Sequence, residues 1–399
     1  MKTSTSDTQS TPVLLSSPEG RLTLIPLECI KDIGEEVNDF LVEWRTDRVL
    51  RGVVPNSNGY ARSSYILKSK LPRFGSGEAK GVIESTVRGD DIYIMTDVMN
   101  YSLTYNLNRY ENAMSPDDHY ADLKRIIGAI SNRARRINVI MPYLYEGRRQ
   151  VSDGHDSLDC ANMLQELSAM GVTNLITFDA HDPRVENAIP MSGFHNFRPI
   201  YQFIKNILRT VPGIQVDASH LMSISPDEGG MNRAVYLANV LGVDMGMYYD
   251  RLDYSVTRED GTHPLVSVEF LGSSVEGKDV IIIDDMISSG GTIIDTARRL
   301  KESGARRVII CATFGIFTNG FAELDEAYEE HIFDYLFTTN LVYQTPELLG
   351  RPYYHSCDMS KFIALIVDTL NHDSSTAPLL DPVDRIHKVI EKYNRGEEV

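Results

Sequence analysis

The chain has 399 residues, of which 42% are hydrophobic and 24% are charged, and this length and balance predict a globular protein of two domains. Lysine and arginine number 39 and aspartate and glutamate number 56, so the net charge of −17 argues against nucleic-acid binding as the main function. The four cysteines are far apart and form no CxxC pair, which favours free thiols in a reducing cytosol over a disulfide framework or a zinc site.

The N-terminus reads MKTSTSDTQSTP, which is polar and has no apolar core of a signal peptide. No apolar run elsewhere approaches the ~18 residues that a membrane-spanning helix needs. We therefore expect a cytoplasmic protein without a membrane partner. We predict a polar tail over residues 1–15, an N-terminal domain over 16–200 and a C-terminal domain over 201–399.

Strands and helices alternate in the first half of the chain. The segment RLTLIPLECI predicts a short strand, and KDIGEEVNDFLVEWR predicts a helix because its apolar residues recur at helical spacing. Residues 47–59 are predicted as a loop, and GVIESTVRGDDIYIMTD as two strands joined at a turn over Arg88, Gly89 and Asp90. An amphipathic helix from Asp117 then leads into the strand INVIMPYL.

A strand, a polar or Gly-rich loop and a helix then follow one another repeatedly. The clearest examples are LITFDAHD, LMSISPDEGGMNRAVYLANVLG, DVIIIDDMISSGGTIIDTARRLKESG and the next strand, RRVIICATFGIFTNG. Such alternation predicts an α/β fold in which a mostly parallel sheet carries helices on both faces. Ligands of such sheets bind at the carboxyl ends of the strands, where these loops lie.

The segment VIIIDDMISSGGTIIDTA, residues 280–297, combines an acidic pair with an anion-binding loop. The amides from Ser289 to Thr292 can form a nest for a phosphate at the start of a helix. Asp284 and Asp285 would repel a phosphate, so we expect them to accept hydrogen bonds from a ribose diol or to bind Mg²⁺ that bridges to the diol. The alternative is an acidic turn that only caps the helix.

This segment resembles the phosphoribosyl diphosphate signature of phosphoribosyltransferases and of ribose-phosphate diphosphokinases. Four other segments resemble the diphosphokinases alone, and they occur in that family's order between about Leu22 and Tyr343. They are GEAKGVIESTVRGDDIYI, INVIMPYLYEGRRQ, LITFDAHD and SPDEGGMNR. The resemblance implies two phosphoribosyltransferase-like domains, each with a mostly parallel sheet flanked by helices.

The resemblance also implies roles for individual residues. The ATP contacts would be Ser76, Gly77, Glu78, Arg148 and Arg149. The ribose 5-phosphate contacts would be Asp284, Asp285, Ser288, Ser289, Gly290, Gly291 and Thr292. A bound Mg²⁺ would lie near His181 and Asp227. Without the resemblance, His181 could equally be a structural histidine and Asp227 a helix N-cap.

One position departs from the pattern of that family. The lysine of the family's flexible loop, which stabilises charge in the transition state, aligns with Asp250. Arg251 is the adjacent cation and the candidate catalytic residue, and Arg258 lies further along the same segment. Either Arg251 replaces the lysine through a shift of the loop, or activity is much lower, since loss of such a cation costs ~10³-fold by analogy with arginine fingers.

The implied reaction converts ATP and ribose 5-phosphate, in the presence of Mg²⁺, into 5-phosphoribosyl 1-diphosphate and AMP. A catalytically weak paralogue that regulates an active partner is the alternative that Asp250 favours, and a phosphoribosyltransferase is a third reading. We expect a homo-oligomer. The C-terminal segment LLDPVDRIHKVIEKYNRGEEV predicts an amphipathic helix that packs on the domain or forms an oligomer contact.

Overall fold

Two β-sheets organise the chain. The computed structural model describes residues 18–57, 59–149, 155–252, 255–256 and 265–399. The first sheet has five parallel strands. Strands are numbered in their order along the whole chain. From one edge to the other they are β1 (Arg21–Pro26), β4 (Asp90–Met95), β7 (Arg136–Ile140), β8 (Asn174–Phe178) and β9 (Gly193–Phe197).

The second sheet has seven strands and is parallel except for one antiparallel pair at its edge. From that edge they are β12 (Leu265–Leu271), β11 (Asp244–Leu252), β10 (Leu221–Ser225), β13 (Asp279–Ile287), β14 (Arg307–Gly315), β15 (Tyr335–Thr339) and β16 (Tyr354–Cys357). Two short antiparallel pairs lie outside both sheets. They are β2 (Ser69–Lys70) with β3 (Val82–Ile83), and β5 (Thr104–Leu107) with β6 (Tyr110–Ala113).

Eleven α-helices lie in the described part of the chain. They are α1 (Lys31–Leu50), α2 (Pro116–Ile130), α3 (Asp159–Ala169), α4 (Ile200–Thr210), α5 (Met231–Leu241), α6 (Gly291–Glu302), α7 (Ala322–Glu329), α8 (Pro346–Leu349), α9 (Ser360–Asn371), α10 (Ala377–Leu380) and α11 (Val383–Asn394). Central strands such as β13 and β14 are buried along most of their length, because side chains on both faces of a parallel sheet pack against helices. The predicted α/β fold with two mostly parallel sheets is confirmed.

Local sequence signals set several element boundaries. Helix α2 begins at a capping box, in which Ser115 and Asp118 exchange hydrogen bonds across the first turn, and Pro116 occupies the first helical position. Helix α1 continues to Leu50, so the loop predicted from residue 47 starts later. Helix α6 begins at Gly291, within the Gly-rich loop that the sequence predicts at the start of a helix.

The turn predicted over Arg88, Gly89 and Asp90 does not join a pair of neighbouring strands. Strand β3 precedes the turn and pairs with β2, whereas β4 follows it and lies between β1 and β7 in the parallel sheet. The turn therefore leads from the short β2–β3 pair into the five-stranded sheet. The β5–β6 hairpin that follows β4 had no counterpart among the predicted elements.

The C-terminal part of the chain returns to the first sheet. Helix α9 packs against α1, and Arg45 donates hydrogen bonds from Nε and Nη2 to Asp368 Oδ1 at 3.1 and 3.0 Å. The guanidinium of Arg45 also lies over the rings of Tyr60 and Tyr65. The domain boundary at residue 200 stays a prediction, since the first sheet ends at Phe197 while α9 packs beside it.

No helix in the described ranges is long and apolar enough to cross a membrane.

We expect the buried ion pair between α1 and α9 to be needed for stability. Arg45 and Asp368 are almost fully buried, so Arg45→Met leaves a carboxylate without part of its compensation. Loss of one partner of a buried pair lowers the free energy of unfolding by ~3–5 kcal/mol. The measurement is chemical denaturation of the purified variant.

Arg51→Met is the matched control, because Arg51 is the residue that ends α1 and forms an exposed pair with Asp47. Exposed pairs contribute only ~0–1 kcal/mol. Equal losses in the two variants would contradict the expected role of Arg45.

Candidate functional site

A cleft of ≈ 170 Å³ lies at the carboxyl ends of strands from both sheets. The second sheet contributes the loops after β10 and β13, and the first sheet contributes the loops after β7 and β8. The lining residues are Arg148, His181, Asp227, Gly229, Gly230, Asp284, Asp285, Met286, Ile287, Ser288, Ser289, Gly290, Thr292 and Ile293. Residues that the sequence pattern named in four separate segments therefore line one cavity.

The loop between β13 and α6 places the first turn of a helix at this cleft. Gly290 is the N-cap of α6 with φ 96°, and no side chain caps the first turn. That left-handed conformation is available to glycine at little cost. Because the first amides of a helix have no partner within the helix, they can bind an anion, and the helix dipole adds to the attraction. The hydroxyls of Ser288, Ser289 and Thr292 provide further donors beside them.

The acidic pair is held in two different charge states. Burial and the charge of Asp285 raise the pKa of Asp284 to about 8, and the charge of Asp227 adds to the effect. Burial also acts to raise the pKa of Asp285, but the hydrogen bond from His181 and the charge of Arg233 outweigh it, so that pKa lies below its usual range. At neutral pH the ligand-free site thus has a protonated Asp284 next to an ionised Asp285.

His181 and Arg148 reach the cleft from the first sheet. His181 follows β8, and its Nδ1 donates a hydrogen bond to Asp285 Oδ2 at 2.7 Å. This hydrogen bond is the main reason that the pKa of His181 is raised. Arg148 follows β7 and is exposed. The first sheet therefore brings positive charge to a cleft whose second-sheet side carries the acidic residues.

Arg233 and Asp179 are additional charged residues at this site that sequence reasoning did not assign to it. Arg233 lies in the first turn of α5, donates a hydrogen bond to Asp179 and lies close to Asp285. Both Arg233 and Asp179 are buried. Their only sequence signal is their position next to two strand ends, within the segments SPDEGGMNR and LITFDAHD.

Several residues predicted for the site do not line the cleft. Ser76, Gly77 and Glu78 lie in the loop between β2 and β3, where Ser76 Oγ donates a hydrogen bond to Glu78 Oε2 at 2.9 Å. Arg149 is exposed beside the cleft, and Arg251 lies on β11 facing Glu269, with 3.4 Å between Nη1 and Oε1. Arg258 and residues 1–15 are outside the described residues.

The oxygen donors of the cleft fit Mg²⁺. The charges of Asp285 and Asp227 both disfavour ionisation of Asp284, and a divalent cation would offset that repulsion. In the described ranges, no three histidine, cysteine, aspartate or glutamate side chains converge as a cage for a metal ion. Mg²⁺ does not require such a cage, because it usually binds one or two carboxylates together with waters and substrate phosphates.

The acidic pair predicts opposite effects of two neighbouring substitutions. Because the pKa of Asp284 is raised from 3.8 to about 8, the folded state holds a proton that the unfolded state loses near pH 4. The free energy of unfolding therefore falls as pH rises from about 4 to about 8. We expect Asp284→Asn to raise the thermal midpoint of the ligand-free protein at pH 8, by roughly 2–4 °C for each kcal/mol recovered, and to change it little at pH 5.

Asp285→Asn is the control in the same strand. The pKa of Asp285 is lowered, so its ionised form is stabilising at both pH values, and its removal should lower the midpoint at pH 5 and at pH 8. If the thermal midpoints of the two variants shifted in the same direction at pH 8, this assignment of charges would be contradicted.

The chain matches the family of the N-terminal domain of ribose phosphate pyrophosphokinase over residues 29–171, and the phosphoribosyl transferase domain over residues 200–337. A ribose-phosphate pyrophosphokinase of Aquifex aeolicus is 29% identical over 257 residues, which are 63% of this chain and 73% of that protein. The enzyme of the same name from Vibrio parahaemolyticus is 25% identical over 324 residues, 78% of this chain and 91% of that protein.

A solved structure shows the same fold. The phosphoribosylpyrophosphate synthetase of Mycobacterium smegmatis superimposes with a TM-score of 0.68 at 19% identity, covering 89% of this chain and 100% of that one. The two family matches are in the order found in ribose-phosphate pyrophosphokinases, with the N-terminal domain first. The chain belongs to the ribose-phosphate pyrophosphokinase (diphosphokinase) family.

Proposed function

We propose that this protein transfers the diphosphoryl group of Mg-ATP to the C1 hydroxyl of ribose 5-phosphate, giving 5-phosphoribosyl 1-diphosphate and AMP. The observation that carries the proposal is the composition of this cleft. A phosphate-binding loop and an acidic pair enter it from the second sheet, and Arg148 and His181 enter it from the first. Two negatively charged substrates need binding groups on both sides of such a cleft.

The second sheet supplies the site for ribose 5-phosphate. The amides at the start of α6 and the hydroxyls of Ser288, Ser289 and Thr292 bind the 5-phosphate. Asp284 and Asp285 accept or donate hydrogen bonds to the ribose hydroxyls, and the protonated Asp284 is able to donate one. This orientation directs the C1 hydroxyl away from the start of α6 and towards the side that Arg148 and His181 line.

The first sheet supplies the ATP side. Arg148 provides a cation for the polyphosphate, and the exposed loop with Ser76, Gly77 and Glu78, together with Arg149, stays the proposed set of further ATP contacts. When bound, Mg²⁺ neutralises phosphate charge and orients the diphosphoryl group for in-line transfer. Asp227 and His181 are the residues proposed to lie nearest the ion, with Asp227 offering the oxygen that Mg²⁺ prefers.

Arg251 is proposed to supply the mobile positive charge. It lies near the end of β11, its side chain is 63% exposed, and its partner Glu269 is exposed as well. Such a weak pair can be broken at small cost when the triphosphate offers a stronger partner. Asp250 directly precedes Arg251 on the same strand. Asp250 carries a negative charge and Arg251 a positive one, so only Arg251 can attract a triphosphate.

The reaction is tested by following AMP formation from ATP. We expect AMP only when ribose 5-phosphate and Mg²⁺ are both present, and none after chelation of the metal. Asp284→Asn should abolish AMP formation although it stabilises the ligand-free protein. Binding of both substrates without AMP formation would favour the regulatory paralogue, and a requirement for a nucleobase with 5-phosphoribosyl 1-diphosphate would favour a phosphoribosyltransferase.

Arg251 has its own test. Arg251→Ala should lower kcat by ~10³-fold, the range seen when a transition-state arginine is lost, and leave ribose 5-phosphate affinity unchanged. Glu269→Gln removes the partner of Arg251 without removing its charge and serves as the matched control, with kcat retained.

Asp250→Lys separates the two alignments of this segment. A higher kcat in that variant supports Asp250 as the position of the family's lysine. We expect this higher kcat, because the substitution restores a cation at that position; an unchanged or lower kcat would contradict the alignment.

A further inference from the structure

A buried arginine joins the two sheets beneath the cleft. Arg233 is 7% exposed, and its Nε donates a hydrogen bond to Asp179 Oδ1 at 2.9 Å. Its Nη2 lies 3.6 Å from Asp285 Oδ2 and donates to the carbonyl oxygen of Ala180 at 3.4 Å. One guanidinium therefore contacts both the strand end that leads to His181 and the strand that carries the acidic pair.

Asp179 is held from the second sheet at a second point. Its Oδ2 accepts a hydrogen bond from Thr313 Oγ1 on β14 at 2.7 Å. The backbone of Asp179 has φ 40°, in the left-handed region that is unfavourable for a residue other than glycine and that persists only when surrounding contacts enforce it. This conformation turns the chain after β8, and His181 follows two residues later.

We propose that Arg233 and Asp179 are positioning residues of this site, which hold His181 over Asp285 by joining the strand ends of the two sheets. The inference rests on the proposed function, because diphosphoryl transfer needs groups from the ATP side and the ribose side at a fixed separation. Neither residue lines the cleft itself, and Asp179 lines a small adjoining pocket next to His181 and Asp285. Their effect is exerted through Asp285 and His181, which do.

A double substitution distinguishes a role in stability alone from a role in positioning His181. Arg233→Met alone leaves Asp179 buried without its main partner, so we expect a lower thermal midpoint. Arg233→Met combined with Asp179→Asn removes both charges, and neutral replacement of a whole buried pair is often tolerated. The double variant should therefore recover most of the loss of thermal midpoint seen in Arg233→Met, with Asp285 keeping the charge of nearby His181 as its compensating partner.

Activity should not recover with stability. We expect the double variant to have a kcat about 100-fold lower, the loss that a misplacement of ~1 Å brings, and a smaller change in the KM for ribose 5-phosphate, because the loop that binds the 5-phosphate is untouched. Arg233→Lys keeps the charge but cannot contact both Asp179 and Asp285. Its kcat should therefore lie between the values of the double variant and the wild-type protein. Arg395→Met, which removes an exposed arginine paired with Glu397, should change neither value. A double variant with wild-type kcat would overturn the inference.

A crystal structure of the double variant provides a readout that does not depend on catalysis. We expect His181 Nδ1 to lie beyond hydrogen-bond distance of Asp285 Oδ2, compared with 2.7 Å in the wild-type protein. An unmoved His181 would overturn the positioning role. If the wild-type protein forms no AMP, the proposed reaction fails, and the position of His181 still decides this inference.

Discussion

Two adjacent carboxylates at the end of a central strand impose the constraint on which the site depends. Asp284 and Asp285 lie beside a loop suited to a dianion, and like charges this close do not both ionise without compensation. His181 from the first sheet and Arg233 from α5 compensate Asp285, while the proton remains on Asp284. The compensating groups belong to different elements, so the charge pattern of the site exists only where the two sheets meet.

The sequence was sufficient for the fold class, because alternation of buried strands and amphipathic helices is a local pattern. It was also sufficient for the β13–α6 segment, where strand, acidic pair and anion loop are contiguous. It could not indicate the β5–β6 hairpin. The two turn residues, Asn108 and Arg109, have φ 50° and 73°, and such turns are usually recognised by glycine. Tertiary packing, with Asn108 donating to the carbonyl of Gly75, fixes this turn instead.

The residues of the candidate site were likewise predictable only in part. Asp284, Asp285 and the stretch from Ser289 to Thr292 were predicted from one motif. Ser288, Arg148, His181 and Asp227 were predicted from the resemblance. All of these except Gly291 line the cleft. The pairing of Arg233 with Asp179 spans 54 residues and has no motif of its own. An arginine at the start of a helix is compatible with a surface position or a buried ion pair, and only the three-dimensional arrangement separates them.

The pairing of α1 with α9 has a consequence for the order of folding. Arg45 and Asp368 are 323 residues apart, so the first sheet cannot complete its core until nearly the whole chain has been synthesised. Contacts at such separation carry a large loop-closure cost and slow folding. During synthesis the face of α1 that packs against α9 stays uncovered until α9 has been made, so the N-terminal half exposes apolar surface that can aggregate or bind a chaperone.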